Sequence, residues 1–367
     1  SKAQWTSMTT DAFQAMTTDQ AAVLTSSNMA GISAAQLNTL SAAKLIKIDT
    51  SAIQALTASQ VAGLSSTQLN SLTTTPTGQL VAIDTGDLQA LSTTQVSQLS
   101  TTQLVKMTSA QLLALTPTQV KSLTTAQLDG STAQVNLMAT TQIQALTSSQ
   151  LASIATDTLQ AINTNGLQAL TASQLKNFTT TRMNELSTTQ VASLTTSQLG
   201  VLDTTQVSSL SATLFNALTS TQEQSLSASK IQSLTSTYLN SLNSTSIQDL
   251  SSNQVQSLTS TQLNGLAAAT LGYLETRDVA AMTGSQISAM TTSKFNDFTS
   301  TQVKALSTSA MQSLTSNQLN NMGTDNLKAL YTSQIAALTT SQVNSLTTTQ
   351  IGNLTPSQQA IWPAYWS

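Results

Sequence analysis

The chain has 367 residues, 39 % of them apolar and only 7 % charged, with 12 basic and 15 acidic side chains and a net charge of −3. It contains no Cys and no His, which excludes disulfides, thiol and imidazole catalysis and the common zinc sites. There is no Lys/Arg run to grip nucleic acid, and no stretch nears the ~18 consecutive apolar residues of a membrane span.

The predicted elements are set by an aliphatic anchor every eight residues. From Met8 the anchors pass through Met16, Leu24, Ile32, Leu40, Ile48, Leu56 and Leu64 to Leu72. After an insertion at 73–78 they resume at Ile83, Leu91, Leu99, Met107, Leu115 and Leu123. One residue is lost near Gly130, and from Met138 to Trp362 the phase holds through 28 octads. Low-complexity polar chains are often disordered, but apolar residues at fixed phase oppose that alternative. A short fixed period implies one continuous solenoid over 1–367, with terminal caps or contacts near 1–8 and 359–367.

Each octad reads as a helix start. In Leu186-Ser-Thr-Thr-Gln190-Val191 the anchor is followed by a Ser/Thr N-cap, and Gln stands three residues after the cap. That is a capping box, and the anchor and the aliphatic after Gln are the partners of a hydrophobic staple. A continuous helix is excluded, since a mean spacing of 4.0 against 3.6 residues per turn would drift the apolar stripe by about 80° per octad. A β-solenoid is the alternative suggested by Thr and Val. Odd spacings of five and three would send consecutive anchors to opposite faces of a strand, and turn glycines are scarce. The expectation is an all-α solenoid of very short helices, one per octad, stabilised by stacking.

A longer period overlies the octad. Ile162–Leu170, Leu242–Leu250 and Met322–Leu330 align at 80 residues, and Ile83–Leu91 precedes the first of them by 79. Within this super-repeat Asn follows the branched aliphatic at Asn184, Asn216, Asn240, Asn264, Asn296, Asn320 and Asn344, at gaps of 24 or 32. If these side chains share one face, three superhelical turns fit in 80 residues, about 3.3 octads per turn. The expectation is a roughly triangular coil with an internal asparagine ladder; the alternative is an accidental pattern copied by duplication.

No catalytic, cofactor or metal site is expected. Ser and Thr serve as caps, and Asp49, Asp84 and Asp203 stand at cap positions, where an acid suits a helix N-terminus. Asn177, Asn243 and Asn353 begin N-glycosylation triplets of a kind so Thr-rich a chain produces by chance. All three Trp lie near the termini: Trp5, Trp362 and Trp366, the last two with Tyr365. They are candidates either for capping the exposed core or for head-to-tail self-association, which builds open filaments.

The unit, as in Ala90-Leu-Ser-Thr-Thr-Gln-Val-Ser97 and Ala337-Leu-Thr-Thr-Ser-Gln-Val-Asn344, resembles the Ala-Leu-Thr-Thr-x-Gln-Val-x repeats of very large bacterial secreted and surface adhesin-like proteins. The resemblance implies export and a stalk, filament or surface-layer role. Without His or Cys the chain offers no haem ligand of those types. The expected function is a non-enzymatic extracellular structural protein at the cell surface that associates with copies of itself. Ice binding through Thr arrays and a glycan-binding adhesin stalk are the alternatives.

Overall fold

The computed structural model describes residues 2–362. Among them the chain forms 45 α-helices of four to six residues and no strand. One short helix per octad is thus the architecture, and the β-solenoid alternative is ruled out. The chain divides into two compact units, Ser1–Leu194 and Thr195–Ser367, and the same construction is found inside each.

The octad beginning at Thr57 shows how the sequence makes the element. Thr57 is extended, at φ −90° and ψ 162°, and its hydroxyl accepts from the Gln60 amide while Gln60 Oε1 accepts from the Thr57 amide at 2.7 Å. Val61 N–H returns to the Thr57 carbonyl and Leu64 N–H to the Val61 carbonyl, which tightens the last turn. Leu64 is extended again, at φ −68° and ψ 136°. Two adjacent extended residues, anchor and cap, therefore swing the chain into the next helix. No described residue has a positive φ, so these corners need no glycine, which accounts for its scarcity.

Anchor and branched aliphatic both face inward. Val61 and Leu64 are 0 % and 2 % exposed, and the same pair is buried in nearly every octad. At about 1.5–3 kcal/mol per fully buried aliphatic side chain, this apolar core is the main stabilising term for helices too short to persist alone. Helix Ala34–Thr39 packs on Ala58–Gly63, and Ser252–Ser257 packs on Thr276–Ala281; in each case the partner is the third helix onward. The approach is close: a Cβ on Gly63 would lie 2.6 Å from Ala34 Cβ, so only glycine fits there. Other bonds, described below, reach the fourth octad. Within each unit the coil thus closes between three and four octads per turn, a range that contains the expected 3.3.

The two irregularities are absorbed locally. Across the insertion, Thr73 Oγ1 still accepts from Gln79 N–H at 2.9 Å and Thr73 N–H still donates to Gln79 Oε1. The capping box is kept with its partners six residues apart instead of three, and the extra residues loop out. Near Gly130, Ser131 serves as both anchor and N-cap of Thr132–Leu137, which shortens that octad by one. Its hydroxyl donates to the Gln127 carbonyl at 2.6 Å, so the small buried residue is satisfied.

Candidate functional site

A helix of five or six residues leaves most of its backbone groups without intrahelical partners. The recurring chemistry of the octad is the solution to that problem. Gln68, 2 % exposed, accepts from Ser65 N–H through Oε1 at 2.8 Å and donates through Nε2 to the Leu37 and Leu40 carbonyls, each at 2.8 Å. Gln302 in the second unit repeats this: Oε1 takes the Thr299 amide, and Nε2 donates to the Leu271 and Leu274 carbonyls at 2.9 and 2.8 Å. The acceptors lie 31 and 28 residues back, at the C-terminal end of the helix four octads earlier. One side chain therefore satisfies an orphan amide of its own helix and the free anchor carbonyl of the previous turn, and adds a second donor to the branched-aliphatic carbonyl, which already accepts the anchor N–H. The result is a buried glutamine ladder.

Donors other than glutamine also serve the rung, although Ala52, Gly166, Leu214 and Ala310 stand at rung positions and offer none. At the same position Arg182 donates Nε to Leu151 and Nη2 to Ile154 while pairing with Glu185. Lys230 Nζ donates to the Leu199 and Gly200 carbonyls at 2.7 and 2.9 Å. Lys294 reaches Leu266, and Asn326 reaches Phe298. Ladder register also explains the insertion: Gln79 bonds residues 34 and 31 back, three further than usual. After the one-residue loss, Gln142 bonds residues 30 and 27 back.

The seven predicted asparagines do not form an internal ladder. Asn184, Asn240, Asn296 and Asn344 are exposed, and Asn216, Asn264 and Asn320 are half-buried. Several act as clips between turns at the surface. Asn240 donates to Gly265 O at 2.9 Å and accepts from Ala267 N–H at 2.7 Å. Asn264 does the same with Ala289 and Thr291. Asn216 accepts from Asn243 N–H, and Asn296 donates to Asn321 O. Asn184 donates to Thr180 O of its own helix, and Asn320 leaves its Oδ1 unpartnered. The residue after the branched aliphatic lies about 100° further round the helix, which turns it outward. Asn70 makes the same clip, to Gln98 and Ser100, though no spacing pointed to it.

Trp5 is half-buried and meets Phe13 edge-on, with ring centroids 6.2 Å apart. Trp362 is also half-buried and donates Nε1–H to the Ile335 carbonyl at 3.1 Å. Tyr365 and Trp366 lie outside the described residues. The three aspartates behave as caps: Asp49 accepts from Ser51, Asp84 from Gly86 and Asp203 from Gln206. The Ser51 hydroxyl and amide hold the Asp49 carboxyl below its ordinary range. Among the described residues no three acidic side chains cluster as a metal ion would need, and no helix is long and apolar enough to cross a membrane. A groove of about 420 Å³ between turns is lined by Thr118, Lys121, Gln144, Thr147, Thr171 and Gln174, a set with no acid–base pair.

Three buried titratable groups break the pattern. Asp278, 0 % exposed, stands at a rung; Oδ1 accepts from Ser252 and faces Arg277, while Oδ2 has no partner. Tyr238, also at a rung, buries its hydroxyl without a partner, and burial pushes its pKa up. Glu223 occupies the branched-aliphatic position, 1 % exposed, with both carboxyl oxygens unpartnered.

Compared with known families, residues 80–117, 271–308 and 319–356 match the family model described as ALTTAQ repeat. The chain carries ALTTAQ-type repeats. Comparison with curated proteins gave no match. The glutamine of the ALTTAQ-type unit is the rung residue of the ladder: Gln111, Gln286, Gln302, Gln334, Gln342 and Gln350 all lie in the matched stretches.

Proposed function

We propose that this chain is a non-enzymatic structural protein of the bacterial exterior, a repeat segment serving as stalk, filament or surface-layer element. The observation that carries this is the ladder. The conspicuous polar group of the octad is consumed inside the coil, at both ends of the amide, in contacts that recur at 28 and 31 residues. Further octads add further equivalent turns, so repeat number sets extent while the chemistry stays constant. The outer surface is left with Ser, Thr, Asn and Gln and few charges, which suits lateral contact between copies with little electrostatic repulsion.

Export, adhesin-like context and self-association belong to this proposal. Negative-stain electron microscopy across a concentration series tests it. Fibres or sheets that grow with concentration support a self-associating element, and Trp362→Ser then separates contacts through that ring from lateral ones. Discrete particles at every concentration leave a monomeric stalk. Thermal hysteresis or saturable glycan binding would replace the structural reading with ice binding or adhesion.

A further inference from the structure

Glu223 is out of place in a core built of aliphatic residues. It follows Gln222 in helix Ser220–Gln224, where other octads carry Val, Leu, Ile, Met or Phe, apart from Trp5, Ala21 and Gln359 near the chain ends. The equivalent residues one super-repeat before and after are Ile143 and Val303. Its backbone is ordinary: the Glu223 carbonyl accepts from Gln254 Nε2 at 2.8 Å, as a rung acceptor should. Only the carboxyl is anomalous.

The side chain that lies over it explains how it fits. In this coil the rung residue 23 positions later sits on the branched aliphatic; a Cβ on Gly166 would lie 3.1 Å from Ile143 Cγ1. For Glu223 that residue is Ser246, 2 % exposed, which replaces the usual glutamine. Serine leaves room for the longer acidic side chain and removes the amide that would otherwise donate at this register. Ladder spacing assigns that missing donor to the Phe215 and Leu218 carbonyls, 31 and 28 residues before Ser246. The Phe215 carbonyl keeps the Leu218 N–H, so it is the Leu218 carbonyl that loses its rung donor, beside a carboxyl that becomes a donor once protonated.

Few charges face it within its unit. Helices Thr196–Val201 and Ser252–Ser257 carry no titratable group. Beside Ser244–Gln248 stands Asp249, whose Oδ2 accepts from Ser220. Lys230, in the next helix along the chain, is committed to the Leu199 and Gly200 carbonyls. Tyr238 buries a neutral hydroxyl. No cation therefore balances an ionised Glu223, and an unpaired carboxylate in an apolar interior is strongly disfavoured.

We propose that Glu223 and Ser246 form a proton-operated seam in the second unit, closed while the carboxyl is protonated and loosened when it ionises. Burial, reinforced by the Asp249 charge and partly offset by the nearby Ser246 hydroxyl, raises the Glu223 pKa to about 7. In an opened turn the group reverts to an ordinary glutamate, near ~4.3. The closed form then binds the extra proton between those values, so closure is strongest below the lower one and is lost as pH rises to about 7.

Hydrogen exchange of the full chain, read by mass spectrometry and corrected for intrinsic rates, tests this between pH 4.5 and 8.5. Peptides from 211–258 should lose protection by roughly tenfold per pH unit between about 5 and 7, then level off. Peptides around Ile143 and Gly166 should stay flat. Glu223→Val, which installs the residue type of the flanking super-repeats, and Glu223→Gln should both abolish the slope. Unchanged protection of 211–258 across the range, or a slope that survives Glu223→Val, overturns the proposal.

Discussion

Replacing Gln262 by alanine isolates the energetic value of one rung. Gln262 is 5 % exposed; its Oε1 accepts from Thr259 N–H at 2.9 Å, and Nε2 donates to the Ile231 and Leu234 carbonyls at 2.9 and 2.6 Å. Truncation leaves the Thr259 amide and the Leu234 carbonyl unsatisfied in an enclosed site, while the Ile231 carbonyl keeps the Leu234 N–H. An unsatisfied buried group costs about 1–3 kcal/mol. Water reaching the vacated space recovers part of that, so the expected loss is about 2–4 kcal/mol. The matched control is Gln256, exposed and holding a single bond to Ala281 O, where alanine should cost no more than about 1 kcal/mol. Urea titrations followed by far-UV circular dichroism compare the two in the same chain. Equal losses within about 0.5 kcal/mol would refute the argument that the buried amide holds successive turns together.

Four further substitutions extend the test. Gln262→Glu keeps shape but turns the donor into an acceptor facing two carbonyls, so it should destabilise more than alanine at pH 8 and recover on acidification, read from melting temperature against pH. Arg182→Gln restores the usual rung and should stay within about 1 kcal/mol of the parent, whereas Arg182→Leu forfeits the bonds to Leu151 and Ile154 and should cost about 3 kcal/mol or more in the same titration. Asn240→Ala breaks an exposed clip to Gly265 and Ala267 and should cost about 1 kcal/mol, with hydrogen exchange rising at the Ala267 amide.

The short helices, their caps and their apolar face were legible because they are local. The anchor–cap–Gln–aliphatic order of Leu186 to Val191 contains every partner of a capping box and staple within six residues. The other half of glutamine was not legible. Its Nε2 partners lie 28 and 31 residues back, and finding them requires the number of octads per turn, which no local pattern states. Asparagine spacing approximated that number yet placed the side chains inside. It recorded which turns face each other, as Asn240 and Asn264 show by clipping successive turns, but not which side of the helix the position occupies. The signal that could have revealed the ladder was substitution at the rung: Arg182, Lys230 and Lys294 replace Gln with long donors, where a residue serving only the cap would need an acceptor. Glu223 was hidden by treating the aliphatic position as uniform.

The account stands on turns that meet at three to four octads, and engineered cross-linking tests this most directly because the chain has no native cysteine. A Cβ at Gly130 would lie 3.2 Å from Thr101 Cβ, just below the ~3.5–4.5 Å of a disulfide. Thr101→Cys with Gly130→Cys should close an intramolecular disulfide under mild oxidation, while Thr101→Cys with Pro117→Cys, two octads apart, should remain free. A bond in the second pair and none in the first would mean a coil of two octads per turn and would contradict the ladder.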